Sequence, residues 1–496
     1  MTGMAAPAVR VLVDGAPLGT AVRVLAVRVA ARFNAPTQCE LTLRDPDGVW
    51  PGAARLAARL RVGVVGDPAD LFDGEVTCVA LSKAPDGVTT ARVRAYDPLH
   101  RLRRRQTPRV LEDVSATAAA AALTAGTGLR VDGPDAPVFA RVVQHRHSDL
   151  DLLVETATRA GLLATVDGRT LRLTTLAGDG EPVPLEFGTS LFEVDVEANV
   201  DRATGAVTAV GWDTDTARPL TGRADRARGG RRIALAVPAD GEVTLVDRAG
   251  IGTDDLAAAA QLALDVRTAH AVVLRGTAAG DVRLRPGARI AVGGLDAGVD
   301  GVHVVCEAVH TIDADGYLTA FSTEPPALAP DGGGVSVTLG RVLAVDDPDG
   351  RGRVRVALPA FGDPDIGWLG VVCPGAGRGK GLVALPDVGD TVAVAVPHGR
   401  SDAALVLGSL YGAVAPPETG VRGDAVRLWS LRTADGQSLV LDDEAHAVRL
   451  SNRDGSAVEL TPDAVRITAK ADLTIDAAGH AITIRSRVVD FERALV

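Results

Sequence analysis

Few residues of this chain have chemistry to offer, and their spacing decides what they can do. Lys380 stands in the glycine-rich run Pro374-Gly375-Ala376-Gly377-Arg378-Gly379-Lys380-Gly381, superficially a phosphate cradle. Such a cradle needs glycine where Pro374 stands, a hydroxyl where Gly381 stands and a helix to follow, whereas a strand pattern follows here. Nucleotide binding is not expected. His145 and His147 alternate near a strand end and could aim two imidazoles the same way, but no third ligand is anchored by spacing, so packing is their expected role. His303 and His310 are expected on opposite sides of their strands, and His446 and His480 in exposed turns or strand flanks. Asp346, Asp347 and Asp349 could hold Ca²⁺, yet Asp-Pro-Asp-Gly is explained as a hairpin turn without an ion. Cys39, Cys78, Cys306 and Cys373 lack the close spacing of a zinc site, and their apolar, strand-like contexts predict free buried thiols and synthesis in a reducing cytoplasm. Neither a Gly-x-Ser-x-Gly nor a His-Glu-x-x-His run occurs, nor a spaced acid pair in a helical domain. The expectation is no catalytic, cofactor-binding or metal-binding residue, and no enzyme.

A chain of 496 residues is too long for one core, so three or four domains are expected. The net charge of −11 argues against a nonspecific nucleic-acid binder, which needs a basic surface to displace counterions. Lysine occurs only at positions 83, 380 and 470, so arginine carries nearly all positive charge, as a GC-rich coding bias would produce. The N-terminal stretch has no apolar run fit for a signal peptide, and no run of about eighteen apolar residues suggests a membrane span.

The elements that must position these residues are mainly strands. Residues 8–95 alternate in period two between turns such as Asp14-Gly15, Asp73-Gly74 and Asp86-Gly87, one barrel's worth. Residues 96–178 change character. An alanine-rich helix, Ala116 to Ala125, ends at Gly126 and Gly128, a second follows Ser148 with its apolar face ending at Gly161, and a hairpin turns at Asp167-Gly168. Residues 185–325 return to strands around one helix, Asp254 to Thr268, capped by Thr253. An internal repeat links the two β regions: Phe72-Asp73-Gly74, Cys78-Val79-Ala80 and the Asp86-Gly87 block recur as Val299-Asp300-Gly301, Cys306-Glu307-Ala308 and the Asp315-Gly316 block, with a fainter echo of Gly19-Thr20 in Gly188-Thr189. Residues 326–334 and 413–423 are Pro/Gly linkers bracketing about five short strands, which suit a small closed barrel because closure removes exposed sheet edges.

The tail carries a pattern of its own. Apolar residues come in pairs two apart, Leu439/Leu441, Val448/Leu450, Val458/Leu460, Val465/Ile467, Leu473/Ile475, Ile482/Ile484 and Val489/Phe491, separated by turns. Each strand buries two side chains on one face and wets the other. A single copy has no facing layer for that face, so self-association follows from the pattern.

The wording of three segments resembles a known family. Arg341-Val342, Gly367-Trp368, the Pro374 to Gly377 run, the stretch Leu385 to Val392 and Gly408-Ser409-Leu410-Tyr411-Gly412 are similar to the OB-fold core of contractile-injection spike proteins, the VgrG proteins and phage baseplate-protein-V spikes among them. Ala95-Tyr96-Asp97-Pro98-Leu99-His100-Arg101-Leu102, then Val142-Val143-Gln144-His145 with Ser148-Asp149 and Leu152-Leu153, resemble the phage late-control-D hub. The resemblance implies a mainly β chain: a first hub β-barrel at 1–95, an α/β insert at 96–180, a second hub β-barrel at 181–328, an OB-fold at 335–412, a linker at 413–435 and a β-prism needle at 436–496 wound from three chains. It implies a structural homotrimer that joins a tail tube to a piercing tip, with baseplate proteins and a PAAR-type tip protein as partners and the target membrane pierced mechanically. Two similar barrels in each of three chains would present six similar surfaces to a six-fold tube. The particle would be assembled after cytoplasmic synthesis, and phage, type VI apparatus and released extracellular particle all stay open, the fusion of hub and spike disfavouring many phages. Two other readings remain: an OB-fold that binds glycans or oligonucleotides, against which the sparse aromatics Phe361, Trp368 and Tyr411 argue, and a tail spike with a cell-wall hydrolase, for which residues 413–437 leave no room.

Overall fold

The computed structural model describes residues 8–19, 22–44, 56–85, 87–135, 137–144, 147–213, 218–230, 241–248, 252–296, 298–328, 334–397, 399–412 and 414–492. The chain forms two units, residues 1–410 and 411–496. In the first, an eleven-stranded sheet runs through both of the repeated β lobes. Four strands of the first lobe, Arg23–Arg32, Gln38–Arg44, Thr89–Tyr96 and Asp70–Lys83, are neighbours in that order. Four strands of the second, Leu191–Ala198, Val272–Ala279, Gly316–Ser322 and Glu307–Asp313, follow the same order. The sequence repeat is thus a repeat of fold. The lobes meet at one antiparallel seam, with Glu307 opposite Arg32 and Ile312 opposite Val27. Each lobe keeps its own core: Val27, Leu41, Leu60, Phe72 and Val93 in the first, Leu185, Leu274, Ile290, Val305 and Phe321 in the second.

Between the lobes in sequence lies the insert, with helix α1 (Ala116–Thr124), helix α2 (Asp149–Arg159) and short sheets around a third core of Leu99, Leu123, Phe139 and Leu153. Ser115 caps α1 by accepting from the Ala118 amide. Ser148 and Asp151 cap α2 reciprocally, satisfying two amides that would otherwise lack partners. The second lobe carries a further sheet, Ala206–Asp213, Arg218–Ala224 and Glu242–Arg248, covered by helix α3 (Thr253–Ala269). Its N-cap is Gly252 and no side chain caps it, so Thr253 is the first helical residue, not the cap its sequence suggested.

Residues 335–409 form the closed barrel, with strands Val335–Ala344, Val354–Ala357, Asp365–Val371, Leu405–Ser409 and Thr391–Pro397 in spatial order. Its interior is filled by Val342, Val354, Val356, Ile366, Val392, Val394 and Val406. Gly340 is required where two valines close in, since a Cβ there would lie 2.5 Å from Val356 Cγ1 and 2.8 Å from Val394 Cγ2.

The second unit is a five-stranded antiparallel meander: Leu428–Arg432, Ser438–Asp442, Ala447–Ser451, Ala457–Leu460 and Val465–Thr468. Its first strand falls within the stretch the sequence suggested to be linker.

Candidate functional site

The register of the meander brings the apolar pairs onto one face. Trp429 and Leu431 stand opposite Leu441 and Leu439. The ladder continues through Leu450 and Val448, then Val458 and Leu460, then Ile467 and Val465, in direct cross-strand pairs. In a half-buried sheet such a face would lie on a core. Here it is open: Trp429 is 64 %, Leu450 56 %, Val465 72 % and Ile467 61 % exposed. Beyond Thr468 the pairs Leu473/Ile475, Ile482/Ile484 and Val489/Phe491 are also exposed, and among the described residues of this stretch there is no strand pairing.

Two more open apolar or edge surfaces occur in the first unit. On the barrel, alternate residues Val335, Val337 and Leu339 are exposed, as is Leu407 two strands away. On the two-lobed sheet, Leu191–Ala198 forms one end, and among the described residues the half of Asp70–Lys83 beyond Val76 is paired only on its Thr89–Tyr96 side. These two edges are the repeat equivalents of Arg23–Arg32 and Glu307–Asp313, the strands that form the seam between the lobes.

The side chains singled out for chemistry are placed as follows. Lys380 lies in an exposed hairpin turn bridged to Gly377, and no helix follows it. Asp347 accepts the amides of Asp349, Arg351 and Arg353 and pairs with the Arg353 guanidinium at 2.8 Å, so the Asp-Pro-Asp-Gly turn is organised by an arginine. That guanidinium and the amides hold the Asp347 carboxyl far below its ordinary range. His145 lies outside the described residues, and His147 sits 3.5 Å from Glu155. His303 and His310 do not face opposite sides. Both are buried, because the strand breaks between Val304 and Glu307, and each has a ring nitrogen against a carbonyl, His303 Nε2 at 2.8 Å from Val299 and His310 Nε2 at 2.9 Å from Leu284. The Tyr317 and Thr319 hydroxyls lie 3.0 Å from His310 Nδ1, and burial lowers its pKa to about 4. Cys39 and Cys306 are buried, and burial pushes the Cys306 thiol up to about 12. Cys78 is exposed and Cys373 partly so, which corrects the expectation of four buried thiols. Among the described residues no three His, Cys, Asp or Glu side chains converge as a metal site.

The hub-like motif is explained by packing. Asp97 accepts the amides of Leu99 and Thr37 and starts the turn at Pro98–Arg104, its buried carboxyl pushed up to about 6. Gln144 donates to Asp149, whose carboxylate also meets Arg105 and Arg109. What sequence reasoning missed is the junction of insert and barrel. Arg141 donates to the Ile366 carbonyl at 2.6 Å and fills the space where Gly367 would carry a Cβ, while Val143 packs against the barrel core. Gly367, at a φ of +80°, answers both needs.

Residues 4–314 match the family model of the Alg8 N-terminal domain. The chain belongs to that family. A second model, the type VI secretion system/phage-baseplate injector OB domain, matches residues 338–411, the closed barrel. No curated protein matches the chain. Among solved structures it is similar to the E. coli c3393 protein, a type VI secretion component described as structurally similar to the T4 bacteriophage tail proteins gp27 and gp5. Identity there is 14 %, over 81 % of this chain and 100 % of that one, with a TM-score of 0.54. It is also similar to a chain of the Francisella PdpA–VgrG complex, at 6 % identity over 93 % of this chain and 80 % of that one, TM-score 0.54. At these identities the likeness is one of fold: the chain is mainly β, with an OB-type barrel, and shares the VgrG-like fold of those structures.

Proposed function

We propose that the chain is the structural hub and spike of a contractile-injection baseplate, working as a homotrimer that joins a tail tube to a piercing tip. The open apolar ladder of the second unit carries this reading. Ten side chains from Trp429 to Ile467 share one uncovered face, and the three further pairs downstream have no partner strand among the described residues. Water disfavours such a face, and two further copies supply the missing layer. The duplicated lobes point the same way. If the edge Leu191–Ala198 of one copy pairs with the open half of Asp70–Lys83 in the next, as their equivalents pair within a chain, the contact runs head to tail, and at a rotation of one third of a turn it closes a ring. Three copies would place six similar lobes around the axis, matching a six-fold tube. A tip protein would sit on the end formed by residues around Asp490, and the role would be mechanical, without catalysis. Baseplate proteins are the remaining partners, in a particle assembled after cytoplasmic synthesis. Mass by light scattering tests the reading on the full chain and on one stopped at Gly423. Three copies are expected for the first and weakened association for the second; a full chain that stays monomeric at working concentrations overturns it.

A further inference from the structure

Between hub and barrel lies a cluster of charges that the spike reading does not use. Arg159, the last residue of α2, reaches Asp402 of the barrel at 3.2 Å and Asp255, in the first turn of α3, at 3.6 Å. Arg400 of the barrel clamps the same Asp402 through two nitrogens, at 3.0 and 2.7 Å. All four side chains are largely withdrawn from water, with 16 % of Arg159, 11 % of Asp255, 16 % of Arg400 and 5 % of Asp402 exposed. The Arg159 guanidinium also lies 4.4 Å over the ring of Phe139, in the insert core. The cluster holds two positive and two negative charges, with Glu155 and His147 at its rim. These groups come from three parts of the chain that are distant in sequence: the insert, the helix covering the extra sheet of the second lobe, and the barrel.

We infer that Arg159 is a positioning residue that fixes the angle between hub and barrel by tying α2, α3 and the barrel to one guanidinium. The apolar contacts at this junction, Val143 on the barrel core and Pro108 against Gly362, are non-directional and would tolerate sliding. Two carboxylates held on one guanidinium nitrogen, Nη2, do not, because any slip strands a charge in the interior. Arg141 on the Ile366 carbonyl adds a second directional point on the same face of the barrel. Among the described residues, these are the directional contacts between lobes and barrel, and they set the angle between them. The inference stands whether or not the chain is a spike. If it is one, axial thrust from the hub passes through this junction.

Electron-spin distance measurement tests it. Labels go on Arg130→Cys in the insert and Asp346→Cys on the barrel, both exposed positions, with Cys78→Ser and Cys373→Ser to silence the accessible thiols and unlabelled chain in excess to isolate pairs within one copy. The parent is expected to give one narrow distance peak. Arg159→Met is expected to lose that peak to a broad distribution, and Arg159→Lys to recover most of it. Asp255→Asn cuts only the arm to α3, so the peak should stay narrow while the amides of 253–269 exchange faster. Asp402→Asn gives the same reading as Arg159→Met from the barrel side and serves if that variant does not fold. A narrow peak in folded Arg159→Met or Asp402→Asn overturns the inference, as does unchanged exchange in α3 for Asp255→Asn.

Discussion

Replacing Ile467 by alanine tests the trimer at the point where its energetics are most easily worked. Ile467 lies on the ladder opposite Val458 and is 61 % exposed in the single chain. Truncation to alanine removes three carbons, about 2.4 kcal/mol of transfer free energy if all of it is buried by association. Only the exposed share is left for partners to cover, which leaves about 1.5 kcal/mol per copy. The three-fold product is about 4 kcal/mol per trimer, roughly a thousandfold in the association constant. Sedimentation equilibrium over a range of loading concentrations reads that constant directly. Thr468→Ala, one residue on and on the other face of the strand, is the control and should leave it nearly unchanged. Equal dissociation of Ile467→Ala and parent would show that this face is not what the copies bury, and the needle reading would fail with it.

Two further expectations concern the fold itself. His310 has a folded pKa of about 4 against an ordinary 6.5, so its neutral form is the one the core accepts. The stability tied to it is fully present above pH 6.5 and is lost as pH falls toward 4, up to about 3 kcal/mol. The urea midpoint of His310→Gln should therefore fall less than the parent's between pH 7 and 4.5; parallel slopes would refute the assignment. Gly340→Ala should cost about 1–3 kcal/mol by forcing a methyl between Val356 and Val394, seen as a lower midpoint at constant m-value. An unchanged midpoint would mean the barrel wall yields more than its packing indicates.

Much of this fold was legible locally. The caps of α1 and α2 were readable because Ser115 and Ser148 stand directly before helix-forming runs, and the repeat was readable because its turns share Asp-Gly and Cys marks. The pairing that turns the repeat into one sheet was not: the seam joins Val27–Arg32 to Glu307–Ile312, residues that no local pattern connects. His303 and His310 misled because a constant alternation was assumed across Val305-Cys306, where the strand breaks. Trp429 and Leu431 belong to the ladder, but a single pair next to a proline-rich stretch gave no period to recognise. The junction at Arg159 was invisible for a different reason. Its partners Asp255, Arg400 and Asp402 lie one by one in unremarked loops and helix ends, and only the packing of three separate cores brings them together.

The seam between the lobes has a geometric corollary. A head-to-tail contact repeated at a fixed rotation returns to its start only when that rotation divides a full circle; otherwise it climbs into an endless helix. The twist between Arg23–Arg32 and Glu307–Asp313 inside one polypeptide would then act as the template that every further contact must copy. A substitution that alters this internal twist need not unfold anything. It would leave sound subunits that miss closure and grow into fibres, a failure visible by electron microscopy long before any loss of secondary structure.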